Sequence, residues 1–181
     1  VEKDGFAELL FTMVTHTGTH IDAPCHIIKG TRSLSDFSLG KFAGPAIIID
    51  CEGKEKISLE LLQSREKDIN EAEFVLFRSG WSRKWSEKDY FGKYPVLKPE
   101  AAEWLSCFKL KAVGFDYVSI DAMDEPGMPN HKMFLSKEIL IIENLTDLDK
   151  LPETKFDFYA IPLKIENADG SPVRAFAGLI I

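Results

Sequence analysis

Four short apolar runs do most to limit what this chain can fold into. They are continuous rather than alternating, which is typical of strands buried on both faces, and they occupy residues 45–50, 74–77, 112–116 and 139–143. Helices are predicted between them, at residues 58–69 with Ser58 as N-cap, at 99–108 with Pro99 in the first turn, and from His131 to about Leu135. Strands mixed with helices in this order predict an α/β or α+β class, and the pattern alone does not give the topology.

Three further strands are predicted outside these runs, at residues 6–14, 156–165 and 173–181. Turn residues at 167–172 separate the last two, residues 121–130 form a proline- and glycine-containing loop, and the aromatic segment 81–91 is helical or irregular. No repeat or linker interrupts the chain, and a length of 181 residues suits one domain spanning residues 1–181.

Composition excludes several classes of function. A net charge of −7 without a basic run argues against nucleic-acid binding, and no apolar stretch approaches the roughly 20 residues of a membrane span. The three cysteines include no CxxC pair, so a reducing cytoplasm is expected rather than a disulfide framework. The chain begins at Val1, and we expect its natural N-terminus to lie further upstream.

All four histidines fall in two short segments. Residues 16–26, called the histidine segment below, contain three of them together with an aspartate: His16, His20, Asp22 and His26. Glycine and two threonines make this segment poor helix material, so we expect a loop or extended chain in which His20 and Asp22 point to the same side. Two neutral imidazoles and a carboxylate suit a divalent ion such as Zn²⁺, Mn²⁺, Fe²⁺ or Co²⁺ and leave a position for water.

The fourth histidine, His131, stands twelve residues before Glu143, which closes an apolar run. Each residue alone would be an ordinary surface residue, and they gain weight because a metal site needs ligands from distant segments. Cys25 could be a nucleophile or a ligand, but packing beside the site is favoured because no separate base is evident. The same choice between pocket wall and packing applies, with packing favoured, to five aromatic residues: Trp81, Trp85, Tyr90, Phe91 and Tyr94.

The chain resembles the metal-dependent cyclase family, which includes bacterial kynurenine formamidase and isatin hydrolase. The histidine segment matches every fixed position of the family signature H-x-G-T-H-x-D-x-P-x-H. Weaker matches follow at residues 78–81, 113–116, 141–145, 161–165 and 170–175. The family's usual N-terminal stretch is shortened here, and Ser79 stands where threonine is frequent. Cys25 and Ile27 also depart from frequent family residues, and because they flank His26 they bear on the substrate rather than on the metal.

The resemblance implies a mixed α/β, swivelling β/β/α fold in a homodimer or homotetramer. It implies that His16, His20 and Asp22 bind a catalytic divalent metal, with Zn²⁺ first and Mn²⁺ second. Where two ions are bound, Asp22 bridges to a second site formed by His131 and Glu143. His26 is implied to be the catalytic proton shuttle.

We therefore expect a metal-dependent hydrolase that uses metal-activated water on a small amide, formamide or cyclic amide, as an arylformamidase does. A lactam or isatin-type hydrolase, or a cyclase running the reverse condensation, is a second enzymatic reading. A non-catalytic metal- or ligand-binding protein on the same fold is the alternative from another class. The presence of His26 speaks against it, because a protein that only binds has no use for a proton shuttle.

Overall fold

The fold is built on central strands that are apolar except for the charged residue that ends three of them. A computed structural model describes residues 5–178. Its strands are β1 (His20–Asp22), β2 (Ala43–Asp50), β3 (Lys56–Ile57), β4 (Phe74–Arg78), β5 (Val96–Leu97), β6 (Ala112–Phe115), β7 (Leu140–Glu143), β8 (Phe156–Tyr159), β9 (Gly170–Pro172) and β10 (Phe176–Gly178). Its α-helices are α1 (Leu59–Gln63), α2 (Glu66–Asn70), α3 (Pro99–Leu105) and α4 (Pro129–Ser136).

Eight of these strands form one mixed sheet in the order β10-β8-β2-β4-β6-β7-β1-β9, while β3 and β5 pair separately. The central strands β2, β4, β6 and β7 run parallel, and they are the four continuous apolar runs of the sequence. The outer pairings are antiparallel, including those of β1 with β7 and with β9. The N-terminal strand β1 is therefore held between two strands from the last quarter of the chain.

Alternate residues of the central strands face two separate cores. One core joins them to the helices through residues such as Ile49, Phe77, Phe115, Leu105 and Phe134. The other core contains Ile48, Phe74 and Ile142, together with Ile21 of β1 and Phe158 of β8. Strands β1 and β8 lie near opposite ends of the strand order, so their meeting in one core shows that the sheet is curled. The expected mixed α/β class is confirmed.

The predicted strand at residues 6–14 is wrong. Residues 5–14 are exposed and form no strand, and Leu9 and Leu10 are 86% and 94% exposed. Apolar sequence makes a strand only where a neighbouring strand accepts its hydrogen bonds, and no described strand pairs with this segment.

The predicted strand at 156–165 is also too long. It ends at Tyr159, and beyond it only an isolated bridge joins Pro162 to Val173. Residues 170–172 are not simply a turn, because they form β9 against β1. The last predicted strand is reduced to β10, and residues 179–181 lie outside the described chain.

The helix predicted at 58–69 is divided into α1 and α2. Ser58 caps α1 as expected, with its hydroxyl accepting a hydrogen bond from the Leu61 N–H at 3.4 Å. The backbone N–H of Ser64 closes α1 by bonding to the Glu60 carbonyl oxygen, and Arg65 leaves helical geometry before α2 starts.

Helix α3 begins at Pro99 as predicted but ends at Leu105, and the aromatic segment forms two short 3-10 turns, Trp81–Lys84 and Lys88–Phe91. Among the described residues, no helix has the length and apolar character of a membrane span.

Candidate active site

The pairing of β1 with β7 brings the two histidine-bearing regions together. His20 lies directly opposite Glu143 in the antiparallel register, so both side chains are on the same side of the sheet. Asp22 follows two residues later on β1 and faces that side as well, which confirms the extended geometry expected for this segment. His131 reaches the same point from the first turn of α4.

Four buried side chains converge there and are called the ligand cluster: His20, Asp22, His131 and Glu143. The His20 Nε2 atom lies 3.3 Å from Asp22 Oδ1 and 3.4 Å from Glu143 Oε2. The His131 Nε2 atom lies 3.5 Å from Glu143 Oε1 and 3.8 Å from Asp22 Oδ2. Each member is 5% exposed or less, so these polar atoms face one another with little access to water.

The residues of the ligand cluster fit a divalent ion. Donor atoms placed about 2.1 Å from an ion at tetrahedral angles stand about 3.4 Å apart, close to the separations seen here. Asp22 Oδ2 is buried and accepts no hydrogen bond from the described residues. A buried carboxylate oxygen without a partner is costly, and an ion at this position would satisfy it.

His16 and His26 lie beside the ligand cluster, on its more open side. His16 Nδ1 is 2.7 Å from Asp22 Oδ1, and the His16 and His26 rings stack with their centroids 3.9 Å apart. Ligand atoms of His16, Asp22 and His26 also lie within 4.8 Å of one another, so they could hold a second ion. All six predicted site residues are thus adjacent, and Asp22 belongs to both groups.

The ring orientations in the ligand cluster are fixed by hydrogen bonds from outside it. His20 Nδ1 lies 2.8 Å from the Gly18 carbonyl oxygen, which leaves Nε2 to face Asp22. His131 Nδ1 lies 2.7 Å from Asp121 Oδ2, which leaves its Nε2 to face Glu143. A carboxylate or carbonyl behind a histidine sets the tautomer of a metal-binding ring.

The ionisation of these groups is strongly shifted. Burial alone would lower the pKa of His20, but hydrogen bonds to Asp22 and Glu143 raise it to about 10. Burial would raise the pKa of Asp22, yet contacts with His16 and His20 lower it instead. Burial raises the pKa of Glu143. Burial also lowers the pKa of His26, and His16 and His131 reinforce this, so the His26 ring is neutral near pH 7 and able to accept a proton.

Three residues near the site were missed by the sequence analysis. Asp121 caps α4 by accepting hydrogen bonds from the Asn130 and His131 N–H groups, and it also holds the His131 ring. Asp169 contacts both His16 and His26, and Gly170 lies against the His16 ring. Asp121 lies eight residues before Pro129, where no local N-cap pattern identifies it. Asp169 was assigned only to a turn, and Gly170 to that turn and to a weak family match.

Other residues considered in the sequence have structural roles. Cys25 is half-buried, and burial, reinforced by Asp169, raises the pKa of its thiol. Tyr90 and Tyr94 are buried and donate hydrogen bonds to Asn144 Oδ1 and to the Asp121 carbonyl oxygen. Trp85 and Phe91 are more than half exposed, at 58% and 62%. Tyr90 therefore contacts the residue that follows Glu143, and Tyr94 contacts Asp121, whose carboxylate holds the His131 ring.

Comparisons with known proteins agree with this geometry. A family model described as "Putative cyclase" matches residues 6–122. Kynurenine formamidase from Geobacillus thermodenitrificans is 34% identical over 165 residues, which cover 91% of this chain and 76% of that protein.

Two solved structures share the fold. An isatin hydrolase bound to the product analogue thioisatinate superposes with a TM-score of 0.86 at 27% identity, covering 96% of this chain and 75% of that one. A "predicted metal-dependent hydrolase" from Bacillus stearothermophilus gives a TM-score of 0.79 at 30% identity, covering 97% and 83% of the two chains. With the family model matching more than half of its residues, this chain belongs to the cyclase family.

Proposed function

We propose that this protein is a metal-dependent hydrolase that cleaves a carbon–nitrogen bond of a small, non-peptide amide. The observation that carries the proposal is the buried ligand cluster with the unpartnered Asp22 Oδ2 atom and with His26 beside it. A metal site needs the first feature, and proton transfer to a leaving amine needs the second. The kinship with a kynurenine formamidase and an isatin hydrolase supports an amide as the substrate class.

His20, Asp22, His131 and Glu143 would hold the ion, with His16 completing the set on the open side. A divalent ion at this position supplies Lewis acidity, which activates water and polarises the amide carbonyl. Asp22 and Glu143 contribute negative charge in a buried setting, which favours a dication over a neutral occupant. We propose Zn²⁺ first, because two or three imidazoles with carboxylates suit it, and Mn²⁺ second.

His26 would carry the proton. Its neutral ring accepts a proton from the attacking water and returns it to the leaving nitrogen, while the water oxygen bonds to the carbonyl carbon and the carbon–nitrogen bond breaks. Asp22 contacts His16, His20 and His131, so where two ions are bound His16, His20 and Asp22 would hold one of them, and His131 and Glu143 with Asp22 would hold the other. Metal analysis of the purified protein would measure whether one or two ions are bound per chain.

Two substrate types follow from the relatives. An open formamide, as in a kynurenine formamidase, is the first candidate because that relative is 34% identical across 91% of this chain. A cyclic amide is the second, because the isatin hydrolase structure superposes over 96% of the chain. In the cyclic case the ring nitrogen stays attached to the product, and a cyclase would run the reverse condensation.

The deciding experiment measures hydrolysis of N-formylkynurenine and of isatin by metal-stripped protein and by protein reloaded with Zn²⁺ or Mn²⁺. Metal-dependent turnover with kcat/KM of about 10⁴ M⁻¹s⁻¹ or more on one compound would identify both the substrate type and the working ion. Tight metal binding without turnover on any amide, lactam or ester would instead indicate a metal- or ligand-binding protein on this fold.

We also propose that the chain assembles into a homodimer or a larger homo-oligomer. Residues 5–14 expose several large apolar side chains, namely Phe6, Leu9, Leu10, Phe11, Met13 and Val14. A contiguous apolar segment of this kind is typical of a surface covered by another chain. A molar mass measured by light scattering that equals one chain at micromolar concentration would refute the proposal.

A further inference from the structure

Asp169 occupies a position at the edge of the site that no predicted role accounts for. It lies just before β9, next to the pairing of Gly170 with Asp22. Its Oδ2 atom is 3.2 Å from His16 Nε2 and 3.5 Å from His26 Nδ1. A single carboxylate oxygen therefore faces two of the three histidines of the histidine segment.

The carboxylate of Asp169 is itself held in place. Its Oδ1 atom accepts a hydrogen bond from the Thr15 hydroxyl at 2.9 Å. Its backbone carbonyl accepts a hydrogen bond from the Ala23 N–H at 2.8 Å, which fixes the loop to the segment that carries His26. These two contacts leave Oδ2 directed at the imidazole edges, so its placement does not depend on the histidines alone.

The stacking of His16 on His26 explains why one oxygen can serve both rings. The ring planes are 33° apart with centroids separated by 3.9 Å, and Nε2 of His16 and Nδ1 of His26 both approach the same Asp169 oxygen, at 3.2 and 3.5 Å. The other nitrogen of His16, Nδ1, contacts Asp22 Oδ1, and Nε2 of His26 has no hydrogen-bond partner among the described residues. A carboxylate behind a general base commonly sets its tautomer and ring orientation.

We propose that Asp169 is a positioning residue for His26, which accepts a hydrogen bond from the His26 Nδ1–H and so keeps the Nε2 lone pair directed at the substrate. The role rests on the proposed hydrolase function. Proton transfer then takes place at Nε2 only: Nε2 takes the proton from water and gives it to the leaving nitrogen, while the Nδ1 proton stays in place. Asp169 remains a carboxylate throughout and does not touch the substrate.

The competing explanation is that Asp169 only holds His16 as a metal ligand. The two explanations differ in what the loss of the carboxylate does. If Asp169 acts on His26, kcat falls while the metal content stays constant. If it acts only on His16, activity falls in proportion to the bound metal.

The kinetic test compares wild type, Asp169→Ala, Asp169→Asn and the matched control Glu166→Gln, which changes an exposed carboxylate three residues away. We expect Asp169→Ala to lower kcat about 10- to 100-fold, the usual cost of losing a carboxylate that orients a histidine, with KM and zinc per chain within about twofold of wild type. Asp169→Asn, which keeps an acceptor oxygen and is the safer variant for folding, should lie between. In a His26→Gln background, the Asp169 substitution should cause no further loss, because residues acting as one unit are not additive.

The proposal is overturned if the Asp169 substitution lowers kcat as much in the His26→Gln background as in wild type, or if zinc content falls with activity. It is also overturned if kcat does not change.

A spectroscopic arm tests the same contact without relying on turnover. Nitrogen NMR of zinc-loaded protein distinguishes the two neutral imidazole tautomers, and the signals of His26 are assigned by their loss in His26→Gln. We expect the proton on Nδ1 in wild type and in Glu166→Gln, and a mixture of tautomers in Asp169→Ala. An unchanged tautomer in Asp169→Ala would refute the positioning role. If the tautomer changes in Asp169→Ala but the wild-type protein hydrolyses no amide, the proposed function is refuted and the contact between Asp169 and His26 remains established.

Discussion

The distinction between ligand and proton shuttle is made at the level of single residues. His26 is placed beside the ligand cluster, whereas Asp22 lies inside it with an unpartnered oxygen. We expect His26→Gln to keep its zinc and lose about 10²- to 10⁴-fold in kcat, the usual worth of general acid–base catalysis. Asp22→Ala should lose the zinc itself. Metal analysis by mass spectrometry beside steady-state kinetics checks both, and zinc loss from His26→Gln would make His26 a ligand.

Asp121 should matter for metal affinity although it lies outside the ligand cluster. It holds the His131 ring at 2.7 Å and caps α4 at the same time. Loss of such an outer partner typically costs 10- to 100-fold in metal affinity, so we expect that weakening in Asp121→Ala. Chelator competition measures the dissociation constant, and Asp124→Ala on the exposed loop is the matched control. Equal affinities in the two variants would show that the Asp121 contact is dispensable.

The site residues could be predicted from the sequence, whereas the residues that hold them in place could not. His16, His20, Asp22 and His26 stand close together in a segment whose composition already suggests an ion, and His131 was the one remaining histidine. Asp121 and Asp169 meet the histidines only in the folded chain. Asp169 lies more than 140 residues from His26 along the chain, and nothing in a local pattern specifies that distance.

The sequence predicts strands well where burial alone determines them. It predicts them poorly where a strand forms only because another strand pairs with it. The central strands β2, β4, β6 and β7 each contain a continuous run of apolar residues, and that signal is local. Strand β9 consists of Gly170, Ser171 and Pro172, which have low strand propensity, and it exists because β1 lies beside it. The segment 6–14 shows the converse, since it has strand-like composition and no partner among the described strands.

At the junction of β9 with β1, a side chain at Gly170 would overlap the His16 ring. A Cβ atom added there would lie 2.4 Å from His16 Cε1 and 2.7 Å from His16 Nε2. We expect Gly170→Ala to displace the His16 ring and to weaken zinc binding about 10-fold or more, the scale seen when a supporting contact is lost. Gly40→Ala is the control, because its nearest neighbour would be 3.9 Å away. Calorimetric titration with zinc compares the two, and identical binding would show that the His16 ring can shift without consequence.

At the scale of the whole molecule, metal binding and folding should be linked. The ligand cluster joins β1, α4 and β7, so it exists only in the folded chain. A ligand that binds only the folded state stabilises it by about 2.7 kcal/mol at 100 times its dissociation constant. For a chain of this size we expect the melting temperature to rise by roughly 5–10 °C.

Differential scanning calorimetry of metal-stripped and zinc-loaded protein measures this shift in melting temperature. Asp22→Ala should show no zinc-dependent shift, since its ligand cluster is incomplete. A wild-type melting temperature that does not depend on zinc would mean that the ion contributes nothing to the folded state.

The position of β1 between β7 and β9 also sets an order of events during synthesis. The histidine segment is synthesised before its neighbours in the sheet, β7 and β9, which follow it by about 120 and about 150 residues. At the usual speed of translation this interval lasts roughly 6–30 s. Throughout this interval the sheet neighbours of β1 are missing, so the ligand cluster cannot yet form. We therefore expect the ion to be bound only after β7 and β9 have been made.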